Sequence, residues 1–440
     1  MSVEVNPVGL RCGARNGGLS CAYCHEAAQR AAEGETALPV VDHEAVQRAV
    51  KSLAGRDGFS LHGGEPLLAS YDDLERLWAF GLTRYDRNGV QTSGRPITER
   101  HIQMFQRYRV HVGFSIDGPR DLNDARRAGT LGETRAATSH SVAMLGRCLH
   151  ARIGCSLIVT LHRLNATAER LPRLLDWFRE LDAAGLHGAY SVRLHLLEVD
   201  GSGGRALALS SEENLAALLA LRELERTELR SMGFDVFADI EKKLRDPGAS
   251  ASCVWNWCDP WVTTAVVGIR PDGRRSMCGR VAKGGQAWLP AAGVSRVRQA
   301  ALWATSQEDG GCRECRWFLA CGGHCPGTAL GGDWRKRTAD CAIWRGLFER
   351  MEIDVRVRQV EEWMRRGPDS PAPGGHGDEH GDEHGDHTDG HVEPHAGIAR
   401  HSNGPGHPAS MRLRFDGHSE GTVHHGTSSG LIAGEEDLRW

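Results

Sequence analysis

The sequence predicts an α/β protein made of a partial (β/α)6 barrel, a small cysteine-rich domain and a disordered tail. Three features of the 440 residues support this prediction. Short apolar runs alternate with amphipathic segments over residues 1–235, eight cysteines lie between residues 253 and 341, and glycine and histidine dominate after residue 366. Strands that alternate with helices form parallel sheets. We therefore expect three domains, at residues 1–235, 236–365 and 366–440.

Six strand–helix units account for the predicted barrel. The expected strands are residues 3–10, 59–62, 89–92, 110–115, 154–160 and 189–199, and the expected helices are residues 42–53, 71–81, 98–108, 133–151, 166–184 and 211–230. Apolar residues at helical spacing in the helix after residue 166 indicate a buried face, formed by Leu171, Leu174, Leu175, Phe178 and Leu181. Six units give a TIM-like barrel that is not closed, with a lateral opening for a bulky substrate.

The loop after the first strand carries three cysteines, Cys12, Cys21 and Cys24. A [4Fe–4S] cluster held by three thiolates leaves one iron free to bind a small molecule. Zinc binding and plain buried thiols are the alternatives for this loop taken alone.

A loop that ends in Cys-x-aromatic-Cys resembles the radical SAM superfamily, with Tyr23 at the aromatic position. The family spacing is Cys-x3-Cys-x2-Cys, whereas this chain has eight residues between Cys12 and Cys21. The resemblance implies a [4Fe–4S] cluster on these three cysteines and S-adenosylmethionine (SAM) as cofactors. It also implies reductive cleavage of SAM to a 5'-deoxyadenosyl radical.

Two turns at the ends of predicted strands match further family features. Gly63-Gly64-Glu65-Pro66 resembles the GGEP motif, which implies that Glu65 receives the amino group of SAM. Thr92, in Gln91-Thr92-Ser93-Gly94, resembles the Thr-Asn-Gly turn of the family, with serine in place of asparagine. Read without the resemblance, Gly-Gly-Glu-Pro is an ordinary turn.

The segment Ser115-Ile-Asp117-Gly-Pro119, followed by Arg127, resembles a run found in the peptide-modifying branch of the superfamily. The resemblance implies that Ser115 and Asp117 lie near the ribose and methionine parts of SAM, and that Arg127 pairs with its carboxylate. The alternative is a solvated loop with a chance ion pair.

Polar residues alternate with apolar ones in the sixth strand, at Ser191, Arg193 and His195. Because parallel strands are usually apolar on both faces, this pattern predicts that one face lines a wet cavity. His195 is either a substrate contact or a hydrogen-bonded structural histidine.

The second cysteine block resembles the SPASM domain, which binds up to two auxiliary [4Fe–4S] clusters. The resemblance implies one cluster on Cys253, Cys258, Cys278 and Cys325 and another on Cys312, Cys315, Cys321 and Cys341. The turn Pro271-Asp-Gly273 predicts a hairpin that leads to Cys278. A zinc ribbon is the alternative for Cys312-x2-Cys315. Cys148 and Cys155 remain, and we expect both to be small buried apolar residues.

Composition limits the location and the partners. Neither an export signal nor a run of eighteen apolar residues occurs, so we expect a cytoplasmic protein that does not contact membranes. The net charge is -4, and the basic residues form no clustered stripe, which argues against nucleic acid as a partner. The tail holds eleven of the 22 histidines, and His376, His380, His384, His387 and His391 form either a metal buffer or a plain disordered segment.

SPASM proteins characteristically modify peptides or proteins, so the resemblance implies a maturase that abstracts a side-chain hydrogen. We expect a crosslink in a ribosomally made precursor peptide, with ferredoxin or flavodoxin as electron donor. Thioether formation is the alternative, and sulfatase maturation is less favoured because Gly279 follows Cys278 where those enzymes have aspartate. The short segment before Cys12 predicts no leader-binding domain there. A non-catalytic iron–sulfur or zinc-binding interaction protein is the alternative of another class.

Overall fold

The computed structural model describes residues 2–9, 18–24, 27, 39–53, 58–199, 201–259, 266–276, 278–282 and 296–366. All of them belong to the first of two compact units, Met1–Gly375, while the second unit, His376–Trp440, lies outside the described residues. Cys12 and the predicted metal-binding histidines of the tail also lie outside them.

Most strands of the described residues belong to one sheet. In chain order the strands are β1 (Ser2–Val5), β2 (Ser20–Cys21), β3 (Gly58–Leu61), β4 (Asn88–Thr92), β5 (Val110–Ser115), β6 (Arg126–Arg127), β7 (Cys155–Leu161), β8 (Gly188–Leu196), β9 (Met232–Phe234), β10 (Val266–Ile269) and β11 (Arg275–Ser276). The large sheet has the order β11-β10-β1-β3-β4-β5-β7-β8-β9, and β2 pairs with β6 in a separate ribbon. The six predicted strands are therefore neighbours in this sheet.

Every neighbouring pair in the large sheet is parallel except β10 and β11. Six parallel strands followed by helices confirm the predicted partial (β/α)6 architecture. The sheet also extends past the predicted barrel at both edges, because β9 pairs with β8 and β10 pairs with β1.

The helices cover the outer side of this sheet. In chain order, those of the described residues are α1 (His43–Lys51), α2 (Tyr71–Tyr85), α3 (Glu99–Arg107), α4 (Leu131–His150), α5 (Leu171–Ala183), α6 (Gly201–Leu207), α7 (Ser211–Thr227), α8 (Asp235–Arg245), α9 (Gly279–Ala282), α10 (Val297–Ala304), α11 (Phe318–Cys321) and α12 (Cys341–Arg366). None of the described helices is long and apolar enough to cross a membrane.

Helix α5 begins at Leu171, five residues later than predicted. The side chain of Asn165 explains the delay, since its Oδ1 accepts from the backbone N–H of His162 at 2.8 Å. Its Nδ2 donates to the carbonyl oxygens of Asp117 and Thr160, both at 2.9 Å. An asparagine that bonds to backbone groups in this way competes with helix formation.

Alternation along the strands separates a core face from a solvated face. Val3 and Val5 of β1 and Leu194 of β8 are buried against the helices. Glu4, between Val3 and Val5, and Arg193, next to Leu194, are partly exposed, with 25% and 52% of their side chains accessible. Successive strand residues point to opposite faces, so the concave face of the sheet is polar and open to solvent.

The cysteine-rich region is joined to the barrel by the hairpin of β10 and β11. Gly273 closes its turn with φ +78°, and its N–H donates to the carbonyl of Arg270 at 2.9 Å, which confirms the predicted hairpin. Helix α12 packs against α7 and α8. Trp344 and Phe348 of this helix contact the buried ring of Trp255 edge-on.

Candidate active site and cysteine groups

The loop that carries Cys21 and Cys24 is fixed by the ribbon of β2 and β6. Cys21 pairs with Arg126 across the ribbon, and the N–H of Ala22 donates to the carbonyl of Ala125 at 2.8 Å. The N–H of Cys24 donates to the carbonyl of Cys21 at 3.2 Å, so the two thiols share one tight turn. Both cysteines are half-buried.

The carboxylate of Asp117 lies behind this loop and is completely buried. It accepts from Arg126 Nη2 at 2.8 Å, from the Thr160 N–H at 2.9 Å and from the Tyr23 hydroxyl, and it lies 3.3 Å from His162 Nε2. Burial by itself would raise the pKa of Asp117, but Arg126 and His162 hold that pKa well below its ordinary range. Protein groups therefore fill the acceptor positions of an ionised Asp117.

Tyr23 connects the cysteine loop to this carboxylate. The Arg126 guanidinium lies 5.5 Å from the centre of the Tyr23 ring, and the His162 ring lies 5.6 Å from it. Burial raises the pKa of the Tyr23 hydroxyl well above its ordinary value, so the phenol stays protonated and can donate to Asp117.

Arg127 and Arg126 occupy opposite faces of β6. Arg127 is exposed, whereas Arg126 is buried and paired with Asp117. Alternation along a strand produces this division. Sequence reasoning did not identify Arg126, and pairing of Arg127 with the carboxylate of SAM stays a prediction.

The Gly63-Gly64-Glu65 turn follows β3 at the carboxyl end of the parallel strands, the same end at which Asp117 follows β5. Glu65 is buried, and its oxygens accept from Thr92 Oγ1 at 2.7 Å, from the N–H and hydroxyl of Ser93 at 2.9 and 2.5 Å, and from the Leu67 N–H at 3.4 Å. Burial raises the pKa of Glu65, and these donors oppose that shift. Among the donors described, the hydroxyls of Thr92 and Ser93 can rotate away from Glu65 and admit the ammonium predicted for SAM, whereas the backbone N–H groups of Leu67 and Ser93 cannot.

The concave face carries further polar side chains near this end. Gln91 Nε2 donates to Ser115 Oγ at 2.9 Å, and His62 lies 3.9 Å from Glu4 across β3 and β1. Arg193 of β8 is half-exposed, and its Nε donates to the buried carboxylate of Asp235 at 3.2 Å. His195, on the same face as Arg193, is partly buried. The wet face predicted from the sixth strand is present at Arg193 and His195, whereas Ser191 is buried and bonds to the backbone of Gly233. The choice between the two roles of His195 stays open.

Four of the eight clustered cysteines form one electrostatic group, the first cysteine group (Cys253, Cys258, Cys278 and Cys325). Burial, followed by the charges of Cys325, Cys278 and Cys253, raises the pKa of Cys258 well above its ordinary value. The same two causes raise the pKa of Cys253 to about 11 and that of Cys278 to about 12. Glu198 pairs with the guanidinium of Arg280, whose positive charge also faces this group.

The other four cysteines form the second cysteine group (Cys312, Cys315, Cys321 and Cys341). Burial and the charges of Cys312, Cys341 and Cys315 raise the pKa of Cys321. Burial and the charges of Cys315 and Cys341 raise the pKa of Cys312 to about 12. The thiols that raise one another's pKa thus fall into the two sets of four that the resemblance implied, although the sets interleave in the sequence, and cluster binding by either set stays a prediction.

These donor sets have the composition that iron–sulfur clusters require. Each group supplies four thiols, and each adjoins a cation that would stabilise their ionised forms, the half-buried Arg280 beside the first and the buried Arg298 beside both. In the cysteine loop, Arg126 has the same relation to Cys21. Within the described residues, no three His, Cys, Asp or Glu side chains converge on a single metal ion.

Cys148 and Cys155 belong to none of these groups. Both are buried between α4 and β7, and the thiol of Cys155 donates to the carbonyl oxygen of Ile153 at 3.3 Å. Their expected role as small buried residues agrees with this position.

Residues 11–177 match the model of the Radical SAM superfamily. The chain therefore carries a radical SAM domain, and that superfamily uses a [4Fe–4S] cluster and SAM. The family resemblance inferred from the cysteine loop and the strand-end motifs is confirmed.

The relatives with curated names are maturases. The chain is 24% identical over 365 residues to the serine-type anaerobic sulfatase-maturating enzyme of Bacteroides thetaiotaomicron, which covers 77% of this chain and 84% of that protein. It is 23% identical over 191 residues to the cysteine-type enzyme of Clostridium perfringens, covering 41% of this chain. That match spans about half of the Clostridium protein, 49% of its length.

Solved structures share the fold. The sulfatase-maturating enzyme anSMEcpe with bound AdoMet and the Cp18Cys peptide superposes with a TM-score of 0.62 at 17% identity, over 82% of this chain and 99% of that one. SuiB of Streptococcus suis, bound to its precursor peptide SuiA, superposes with a TM-score of 0.50 at 14% identity, over 77% and 75% of the two chains.

Proposed function

We propose that this chain is a radical SAM enzyme that modifies a side chain of a ribosomally made peptide and forms a crosslink within it. One observation carries the proposal: Arg193 and Glu4 of the concave face are electrostatic neighbours of Cys253 in the first cysteine group. Tyr23 ties the Cys21–Cys24 loop to Asp117 at the end of β5, so in this proposal the concave face extends from that loop to the first cysteine group. A peptide side chain held on this face would lie between two iron–sulfur sites.

In this proposal Cys12, Cys21 and Cys24 hold the cluster that binds SAM, and the two cysteine groups hold auxiliary clusters. When bound, the first cluster and SAM supply a 5'-deoxyadenosyl radical able to abstract hydrogen from carbon. The residues of the chain orient the reactants: Tyr23 and Asp117 fix the loop, and the Thr92–Ser93 turn and Glu65 form a pocket for the amino group of SAM. Gly63, Gly64, Ser115 and Arg127 complete the proposed SAM site.

Polar groups on the concave face would hold the substrate. Arg193 and His195 offer donors to backbone carbonyls or acidic side chains of a peptide, and Asp235 orients Arg193 from behind. We further propose a precursor peptide as the partner and a ferredoxin or flavodoxin as the electron donor. We also propose that the chain has three domains, at residues 1–235, 236–365 and 366–440.

The test uses full-length protein purified without oxygen. Iron and sulfide are quantified, the visible spectrum is recorded, and 5'-deoxyadenosine is measured after addition of dithionite and SAM. We expect about twelve irons per chain, from three clusters of four. Cys24→Ala should abolish 5'-deoxyadenosine formation, whereas Cys148→Ala, at a buried cysteine outside all three sites, should retain it. A colourless zinc protein would instead favour the non-catalytic interaction protein.

Sulfatase maturation is a second candidate, because both named relatives are sulfatase-maturating enzymes. Mass spectrometry of the products separates the two reactions. A crosslinked peptide has lost hydrogen and resists sequencing between the joined residues, whereas an oxidised serine or cysteine becomes an aldehyde that reacts with hydrazides. Formation of the aldehyde on a sulfatase peptide, without any crosslink, would overturn the first proposal in favour of the second.

A further inference from the structure

The guanidinium of Arg298 is completely buried beside both cysteine groups. It donates only to backbone carbonyl oxygens among the contacts described. Nε donates to Trp334 at 2.8 Å, Nη1 to Cys258, Gly322 and His324 at 3.4, 3.2 and 2.9 Å, and Nη2 to Gly323 and Lys336 at 3.1 and 3.2 Å. Six carbonyls around one cation make a specific arrangement, because each bond fixes the position of a backbone segment.

Three of these carbonyls belong to the segment between Cys321 and Cys325. Cys321 is part of the second cysteine group and Cys325 is part of the first, so this short segment joins the two groups. A fourth carbonyl belongs to Cys258 of the first group. Arg298 therefore contacts the backbone that sets the separation of the two groups.

The joining segment has an unusual backbone. Gly322, Gly323 and His324 have φ values of +62°, +77° and +60°, all in the left-handed region. A histidine there is strained and needs support from its surroundings. The His324 ring stacks on Trp344 and contacts Trp255 edge-on, with each ring centre 4.8 Å away. On the opposite side, the inward carbonyls of the segment are satisfied by Arg298.

The charge of Arg298 faces both groups. The thiols that raise its pKa against the effect of burial are Cys258 and Cys325 of the first group and Cys312 and Cys321 of the second. Asp259 accepts from the backbone N–H of Arg298 at 3.2 Å. A cation in a dry environment stabilises added negative charge more strongly than one in water. Reduction of a cluster adds one such charge.

We propose that Arg298 is a positioning residue shared by both cysteine groups, which holds their joining segment and raises the reduction potentials of the two clusters bound there. This inference rests on the proposed function, in which each group holds a [4Fe–4S] cluster. It goes beyond that function because it assigns one side chain control over both auxiliary clusters.

The test compares Arg298→Gln and Arg298→Lys with wild type and with a control variant, Arg296→Gln. Arg296 is exposed and lies two residues before Arg298, at the N-cap of the same helix. Iron is quantified in anaerobically prepared full-length protein, and each auxiliary cluster is titrated potentiometrically with EPR detection. We expect Arg298→Gln to shift both auxiliary midpoint potentials to more negative values. Arg298→Lys, which keeps the charge but not the planar fork, should shift them less and lower the iron content. Arg296→Gln should match wild type.

Several outcomes would overturn the inference. Unchanged potentials in a fully loaded Arg298→Gln protein would exclude the electrostatic role, and a change in only one cluster would exclude the shared role. If Arg298→Gln fails to fold, Arg298→Lys decides: loss of both auxiliary clusters with the SAM-cleaving cluster intact supports positioning, and full retention of wild-type iron and potentials refutes it. Wild-type protein without auxiliary clusters would overturn the proposed function as well, so the two failures are distinguishable.

Discussion

The hydroxyl of Tyr23 donates a hydrogen bond to the buried carboxylate of Asp117, and this bond joins the Cys21–Cys24 loop to the end of β5. The two residues are 94 positions apart in the chain. The loop that carries the predicted cluster ligands is thus anchored by a residue in its own motif. Burial strengthens this hydrogen bond, because water does not compete for the buried carboxylate.

Replacing Tyr23 by phenylalanine should therefore loosen the cysteine loop. The change removes one donor from a buried carboxylate, which costs about 1–3 kcal/mol. We expect faster loss of iron from the SAM-cleaving site and less 5'-deoxyadenosine, measured by iron release to a chelator and by chromatography. Tyr190→Phe is the matched control, since Tyr190 also donates to an aspartate, Asp239, but lies 40% exposed and away from the loop. Iron release at the wild-type rate in Tyr23→Phe would contradict this role.

Substitutions of the two adjacent arginines of β6 should differ in their effects on stability and on SAM binding. Arg126→Gln leaves the buried charge of Asp117 without its cation, and breaking such a pair costs about 3–5 kcal/mol in unfolding free energy. Arg127→Gln removes an exposed side chain, so its unfolding free energy should stay within about 0.5 kcal/mol of wild type. If Arg127 pairs with the carboxylate of SAM, its variant needs more SAM for half-maximal 5'-deoxyadenosine formation. Denaturant unfolding and SAM titration measure the two effects, and an unaltered SAM requirement would exclude Arg127 from the site.

The turn before Glu65 should tolerate no side chain at Gly63. Its φ is +89°, and a Cβ there would lie 2.1 Å from Nδ2 of Asn6. Gly63→Ala should cost more than about 1 kcal/mol, from the left-handed backbone alone. The control is Gly146→Ala in α4, where a Cβ meets nothing within 4 Å and should stabilise by about 0.5–1 kcal/mol. Thermal unfolding measures both, and equal midpoints would show that the turn adapts.

Stability should fall as the pH rises from about 4 to about 6, because of Asp235. Burial raises its pKa to about 6 in spite of Arg193, so the folded chain holds a proton that the unfolded chain releases near pH 4. The folded state then loses about 2–3 kcal/mol across this window and changes little above it. Asp235→Asn should flatten the slope of unfolding free energy against pH between about pH 4 and 6, measured by denaturant unfolding.

Exposed Glu223 provides the control for this pH dependence, since Glu223→Gln should keep the wild-type slope. A slope that persists unchanged in Asp235→Asn would assign the effect to another group.

Local patterns predicted most of the fold. The six barrel strands and their helices follow from apolar periodicity, whereas the capping box of Thr130 and Glu133 begins α4 at Leu131, two residues before the predicted start. Three short strands of the described residues escaped prediction because their partners are distant in the chain. The two-residue strands β2 and β6 exist only as a pair, and β9 is a short strand that depends on β8. Strands this short carry no periodicity of their own.

Site residues divide in a similar way. Resemblance to family motifs singled out Tyr23, Glu65, Asp117 and the cysteines, whose roles in holding SAM and the clusters stay predictions. Arg126, His162 and Arg298 carried no local signal. A lone arginine in a sequence is usually on the surface, and only burial against Asp117 or against six carbonyls gives it a role.

By itself, the sequence determined the alternation of strands and helices, the presence of a cysteine loop and eight further clustered cysteines, and the resemblance that links them to radical SAM chemistry. Only the tertiary structure decided which cation faces which carboxylate and which cations face the cysteines. The physical reason is that periodicity and motif spacing are encoded between near neighbours, whereas burial and charge pairing arise from residues that folding brings together across the sheet.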